Sequence, residues 1–76
     1  MSLNEFIELK ERVANGEEFN FNYKNDDYWI SQNLDGYYLT RVRGSFTQEF
    51  GTSEALFENG LIERRLLSEI YMEIDW

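Results

Sequence analysis

The stretch D27-Y-W-I-S-Q-N-L-D-G-Y-Y-L-T-R-V42 decides how this chain folds. Its middle has the look of a calcium loop, because Ser31, Asn33 and Asp35 alternate and Gly36 falls at the sixth position. Such a loop needs a bidentate acid at its twelfth position, and that position is Val42. Positions seven to ten, "YYLT", are instead rich in strand-forming residues. Asn33-Leu34-Asp35-Gly36 matches a type I turn, with Asn at the first position and Gly at the fourth. A left-handed Gly36 would then give a three-residue hairpin loop with a bulge. The stretch is therefore read as strand, turn, strand, with Asp35 at the tip and no metal bound.

That loop length sets which side chains share a face. It predicts Tyr28 and Ile30 on one face with Tyr38, Thr40 and Val42. Trp29 and Ser31 would share the other with Tyr37, Leu39 and Arg41. Both faces would carry aromatics, and one aromatic stripe should stay partly wet.

Working outward, E18-F-N-F-N-Y-K24 alternates Phe19, Phe21 and Tyr23 with Asn20 and Asn22, the pattern of a half-buried strand. "KNDD", residues 24–27, reads as a polar turn. After the third strand, "YYLTRVR", Gly44-Ser45 breaks the chain and "FTQEF" makes a short fourth. Ahead of the strands, Ser2 and Glu5 form the S-x-x-E pattern of a capping box. Leu3, Phe6, Ile7, Leu9 and Val13 follow at helical spacing, and Asn15-Gly16 ends a helix over about residues 3–14. Behind the strands, Thr52-Ser53-Glu54 can cap a short helix, "SEALFEN", closed by Asn59-Gly60. In "RRLLSEIYMEI", residues 64–74, the residues Leu66, Leu67, Ile70, Tyr71 and Ile74 mark one face of a longer C-terminal helix. The predicted architecture is a two-layer α+β domain: a four-stranded antiparallel meander flanked by an N-terminal helix and by one short plus one longer C-terminal helix.

A chain of 76 residues is one small domain, which buries only about 60 to 65% of the surface it exposes when unfolded. Aromatic residues make up 17% of it, which argues against disorder despite the charge. It has no cysteine, so no disulfide or thiolate metal site, and no histidine, so the usual general base and commonest metal ligand are missing. No apolar run approaches a membrane span. "MSLNEF" turns acidic at once, unlike a signal peptide. A cytoplasmic location is the expectation.

Fifteen acids against seven bases give a net charge of −8. Direct binding to nucleic acid or an anionic membrane is disfavoured, since both run on Lys and Arg. A protein partner with a basic surface is the complement. No nucleophile has a base to activate it, and the five glycines are isolated at breakers rather than gathered in a phosphate loop. Asp26-Asp27 is the obvious carboxylate pair for acid–base work, and its ordinary use is a solvated turn next to Lys24. The expectation is a non-enzymatic chain without a cofactor.

Glu54/Glu58 and Glu69/Glu73 are like-charge pairs at i, i+4, a mildly destabilising arrangement. Glu8 and Arg12 are spaced to offset one another, as are Arg65 and Glu69, while nothing nearby in sequence offsets Glu73 or Asp75. On a helix, i, i+4 carboxylates stand about 6 Å apart, on the scale of phosphate spacing. Glu54, Glu58, Glu69, Glu73 and Asp75 are the candidate acidic face, with Asp26, Asp27 and Asp35 at the hairpin tips. The alternative surface is aromatic: Trp29, Tyr37 and Leu39 on an open sheet face, used for an interaction or a homodimer.

The full chain resembles the small, acidic, cysteine-free proteins of phages and mobile elements of low-GC Gram-positive bacteria. The resemblance is carried by "SLNEFIELKERV" (2–13), "DYWISQNLDGYYLTRV" (27–42) and "TSEALFENGLIERRLLSEIYMEI" (52–74). That pool includes host-defence inhibitors, anti-CRISPR proteins among them. Several of those inhibitors are similar in size, acidity and α+β layout, and some block basic DNA channels. Together with the acidic face above, the resemblance makes a phage-encoded, DNA-mimicking inhibitor of a nucleic-acid-handling host protein the expectation.

Overall fold

A computed structural model describes residues 1–75. The order is α1 (Leu3–Ala14), β1 (Phe19–Tyr23), β2 (Asp26–Asn33), β3 (Gly36–Arg41), β4 (Phe46–Phe50), α2 (Ser53–Asn59), β5 (Leu61–Ile62), β6 (Arg65–Leu66) and α3 (Leu67–Ile70), followed by a 3₁₀ turn over Tyr71–Glu73. Strands β1 to β4 lie in sequence order as an antiparallel meander, and β5 and β6 pair as a separate hairpin. The α+β class and the flanking of a four-stranded meander by helices are as the sequence predicts.

Ser2 caps α1 as a capping box: its hydroxyl accepts from Glu5 N at 3.1 Å while Glu5 Oε1 accepts from Ser2 N at 2.8 Å. The helix buries Phe6, Leu9 and Val13 and leaves Leu3 and Ile7 exposed, a narrower stripe than the spacing suggested. Arg12 does not reach back to Glu8. It holds Glu17 beyond the helix end at 2.9 Å and stacks its guanidinium 5.0 Å from the Phe19 ring centre, tying α1 to β1.

The hairpin between β2 and β3 differs from expectation, and the difference is decisive. Its loop has two residues, Leu34 and Asp35, with Asn33 paired to Gly36. Asn33 Oδ1 accepts from Asp35 N at 2.8 Å, from Gly36 N at 3.2 Å and from the Tyr38 hydroxyl at 2.9 Å. Gly36 is not left-handed. It is glycine because β4 runs close behind it: a Cβ there would stand 2.6 Å from Phe50 O. With no bulge, Ile30 pairs with Leu39, Tyr28 with Arg41 and Trp29 with Thr40. A one-residue change in register exchanges the faces of the whole strand. The covered face therefore holds Tyr28, Ile30, Tyr37, Leu39 and Arg41, and the open face holds Trp29, Ser31, Tyr38 and Thr40. The reason is apolar burial: this register puts Leu39 in the core, where it is fully buried beside Ile30.

The predicted longer C-terminal helix over 64–74 is not formed. Glu63 and Arg64 make a left-handed turn (φ 52° and 67°) between β5 and β6, a conformation that costs a non-glycine residue roughly 1 kcal/mol or more. Gln48 fixes this hairpin to the sheet, donating from Nε2 to Leu61 O at 2.7 Å and accepting on Oε1 from Leu61 N at 2.8 Å. Helix α3 then runs one turn, and the 3₁₀ turn redirects the chain so that Asp75 pairs with Asn22 on the outer edge of β1. Leu67, Ile70 and Ile74 still reach the core. The helical spacing thus marks real burial without a continuous helix. Tyr71 stacks on Phe6 at 4.6 Å, and Phe57 meets the same ring edge-on at 5.9 Å.

Candidate functional site

Helices α1 and α2 pack side by side on the covered face of the sheet, and their solvent side is acidic. Glu11 of α1 and Glu54 and Glu58 of α2 are exposed around a shallow cleft of about 260 Å³. Lys10 is the one cation among the residues that line it. Glu54 stands in the first turn of α2, where the helix dipole favours an anion. Glu58 stands in the last turn, where the dipole opposes it and no basic residue compensates. It also faces Glu54 one turn back. The sequence expectation of a carboxylate pair on α2 is met in position, and Glu11 is a neighbour that linear spacing did not reveal.

The other proposed acids are dispersed. Glu69 accepts on Oε1 from Leu66 N at 2.9 Å, so it caps the start of α3. Glu73 lies beyond that helix in the 3₁₀ turn and pairs with Arg65 at 3.7 Å. The helical spacing of Glu69 and Glu73 therefore does not hold, and Arg65 serves Glu73 rather than Glu69. The main chain of Asp75 exchanges hydrogen bonds with Asn22 at 2.7 and 2.9 Å while its side chain faces solvent. Asp35 is exposed at the β2–β3 tip.

Asp26 and Asp27 are not in a turn. The turn is Lys24-Asn25, both left-handed (φ 49° and 66°), and the two aspartates open β2. Neighbouring strand residues point to opposite faces, so the pair cannot share a proton. Asp27 is exposed and accepts from Asn22 Nδ2 at 3.2 Å. Asp26 is 6% exposed and bridges two arginines. Arg41 Nη2 donates to its Oδ2 at 3.0 Å, and Arg43 donates to its Oδ1 from both Nε and Nη2. The Arg43 hydrogen bonds, helped by the charges of Arg41 and Arg43 and opposed by burial, hold the Asp26 carboxyl below its ordinary range. Asp26 is thus spent inside the molecule and offers nothing to a partner.

The aromatic surface is rearranged as well. Trp29 is 39% exposed at the centre of the open sheet face, with Ser31 and Tyr38 half-buried and Thr40 bonded to Thr47 Oγ1 at 2.9 Å. Tyr37 and Leu39, predicted to stand beside Trp29, lie on the covered face: Leu39 is in the core and Tyr37 packs against it.

Among the described residues no cluster of His, Cys, Asp and Glu is arranged to hold a metal ion, and no helix is long and apolar enough to cross a membrane. No protein-family model, curated protein or solved structure matches the chain.

Proposed function

We propose that this chain is a non-enzymatic protein-binding domain that engages a basic surface of its partner through the acidic side of α1 and α2. One observation carries the reading: Glu11, Glu54 and Glu58 gather around a single cleft, with Lys10 the sole cation lining it among the described residues. Glu58 works against α2 on two counts, its end of the dipole and its neighbour Glu54. A carboxylate held where it weakens its own helix is explained by an outside cation. The sharpest form of the proposal is a cytoplasmic, phage-encoded inhibitor in which Glu54 and Glu58, about one helical turn apart, stand in for phosphates in a nucleic-acid channel such as that of a CRISPR effector. The resemblance in size and acidity supports that form.

A second reading has its own observation. Among the described residues no helix covers the open sheet face, and Trp29 sits exposed near its middle. That face suits an interaction module or a homodimer held by aromatic packing.

The experiment is stepwise salt elution of captured host protein, run with Glu58→Lys beside the natural chain. Lysine at 58 follows Glu54 in the favourable i, i+4 order and suits the helix end. It should stabilise the fold by a few tenths to about 1 kcal/mol and abolish capture. Capture by the natural chain that resists salt, is untouched by Glu58→Lys and disappears with Trp29→Ala would move the function to the sheet face. Self-association lost with Trp29→Ala would point to the homodimer.

A further inference from the structure

A second cleft, remote in character from the acidic helices, opens between the β3–β4 end of the sheet and the β5–β6 hairpin. It measures about 430 Å³, within the usual span of small-ligand sites. Its walls are apolar. Phe46 and Leu61 line it and are 63% and 44% exposed, so the fold leaves the Phe46 ring and the Leu61 branch partly uncovered. Tyr28 and Arg41 close one side, and Glu63 and Arg64 close the other. Gln48 also lines it, but its amide is consumed in holding Leu61 and acts as a strut.

The local charge is opposite to that of the whole chain. Arg41 and Arg43 share the single carboxylate of Asp26. Lys24 and Glu63 oppose one another loosely at 4.0 Å. Arg64 has no carboxylate within ion-pairing distance among the described residues. Two arginines, Arg41 and Arg64, therefore line the cleft against one carboxylate, Glu63, in a protein whose net charge is −8. The Arg41 side chain is 42% exposed; its Nη2 donates to Asp26 and its Nε is shielded from solvent, so a ligand meets the outer part of the guanidinium. Arginine presents donors in a fixed fork suited to a carboxylate. Arg64 is also held in a left-handed conformation that a glycine or asparagine would adopt more readily. Arg64 thus stands at the rim of an apolar cleft with no carboxylate partner among the described residues, in a two-residue hairpin loop that fixes its backbone.

We infer that this cleft binds a small carboxylate with an aromatic or branched apolar body, the apolar part against Phe46 and Leu61 and the carboxylate between Arg41 and Arg64. The site is independent of the acidic face of α1 and α2.

The test is nuclear magnetic resonance titration of the isotope-labelled full chain with 3-phenylpropionate, with 3-phenylpropionamide and inorganic phosphate at matched ionic strength. The carboxylate should shift the amides of Phe46, Leu61 and Arg64 and the guanidinium N–H groups of Arg41. It should bind roughly tenfold or more tightly than the neutral amide, the ratio expected for one charged hydrogen-bonded contact. Arg64→Gly should weaken it by a similar factor while raising the melting temperature, because glycine relieves the left-handed strain; loss of binding then cannot be blamed on misfolding. Phe46→Ser, at an exposed position, should weaken carboxylate and amide alike. Equal binding of acid and amide, equal binding of phosphate, no binding of any probe, or an Arg64→Gly protein that binds unchanged would each overturn the assignment.

Discussion

The meander, residues 19–50, and the C-terminal segment, residues 61–75, are built on opposite terms. Each strand of the meander pairs with the one before it, so its hydrogen bonds close within a short span of chain. The C-terminal segment draws on distant groups. Leu61 is held by the Gln48 side chain, Asp75 by the main chain of Asn22, and the carbonyls of Tyr71 and Ile74 accept from the Met1 amino nitrogen at 3.1 and 2.7 Å. Yet both regions feed one core, for Leu39 and Ile70 are each fully buried in it. Local closure and core membership are therefore separate properties, and a segment with little structure of its own can still be indispensable.

The strongest way to break this comparison is to truncate both core residues. Leu39→Ala and Ile70→Ala should each cost roughly 2–5 kcal/mol, a large part of what so small a domain has. Denaturant unfolding gives the totals, and hydrogen exchange gives their distribution. If the core is one unit, Ile70→Ala lowers protection in β2 and β3 as much as near α3. Loss confined to residues 61–75 would show that the segment is an appendage.

A second substitution sharpens the account of the meander itself. Gly36 is held by the approach of Phe50 O and not by a left-handed backbone. Gly36→Asn and Gly36→Ala should then be equally damaging, at roughly 1–3 kcal/mol, since either must push β4 away. In a bulged loop asparagine would be tolerated far better than alanine, so a clear advantage for Gly36→Asn in thermal unfolding would restore that loop.

These two regions also separate what the sequence discloses from what it hides. The strict alternation of Phe19, Phe21 and Tyr23, the cap at Ser2 and the breaks at Asn33–Gly36 and Gly44-Ser45 are local signals, and the elements they mark are present. Loop length was the weak point. Asn-Leu-Asp-Gly serves a two-residue or a three-residue loop, and only the burial of Leu39 opposite Ile30 selects between them. The cluster around Asp26 was lost with that choice. Extending the pairing of Tyr28 with Arg41 by two residues sets Asp26 opposite Arg43, so the ion pair follows from the register. The C-terminal segment hid for a different reason. Leu66, Leu67, Ile70, Tyr71 and Ile74 satisfy helical periodicity, but the edge of β1 at Asn22 and the Gln48 amide are tertiary demands with no local trace. The carboxylates on α2 were legible because they lie within one short helix; Glu11 beside them was not, because it arrives from another.

The smallest of these effects at neutral pH concerns Asp26, and its value lies in its pH dependence. Arg43 and Arg41 hold its carboxyl below the ordinary range in the folded protein. A depressed folded value means that the stabilisation is fully present above the unfolded carboxyl value of about 3.9 and disappears as pH falls through the folded value. Asp26→Asn removes the charge at every pH and leaves Arg41 and Arg43 facing each other, so its melting temperature should lie below that of the natural chain near neutrality. Other carboxyl groups titrate in both proteins, Glu17 beside Arg12 included, and they cancel in the difference. The two curves should run parallel from neutral pH down to the ordinary carboxyl range and converge in stronger acid, where Asp26 is protonated and the natural chain behaves like the variant. Curves that stay parallel throughout would mean that Asp26 supports the sheet end through packing and neutral hydrogen bonds. The arginine pair would then be held by position alone, and the register that sets Asp26 opposite Arg43 would owe nothing to charge.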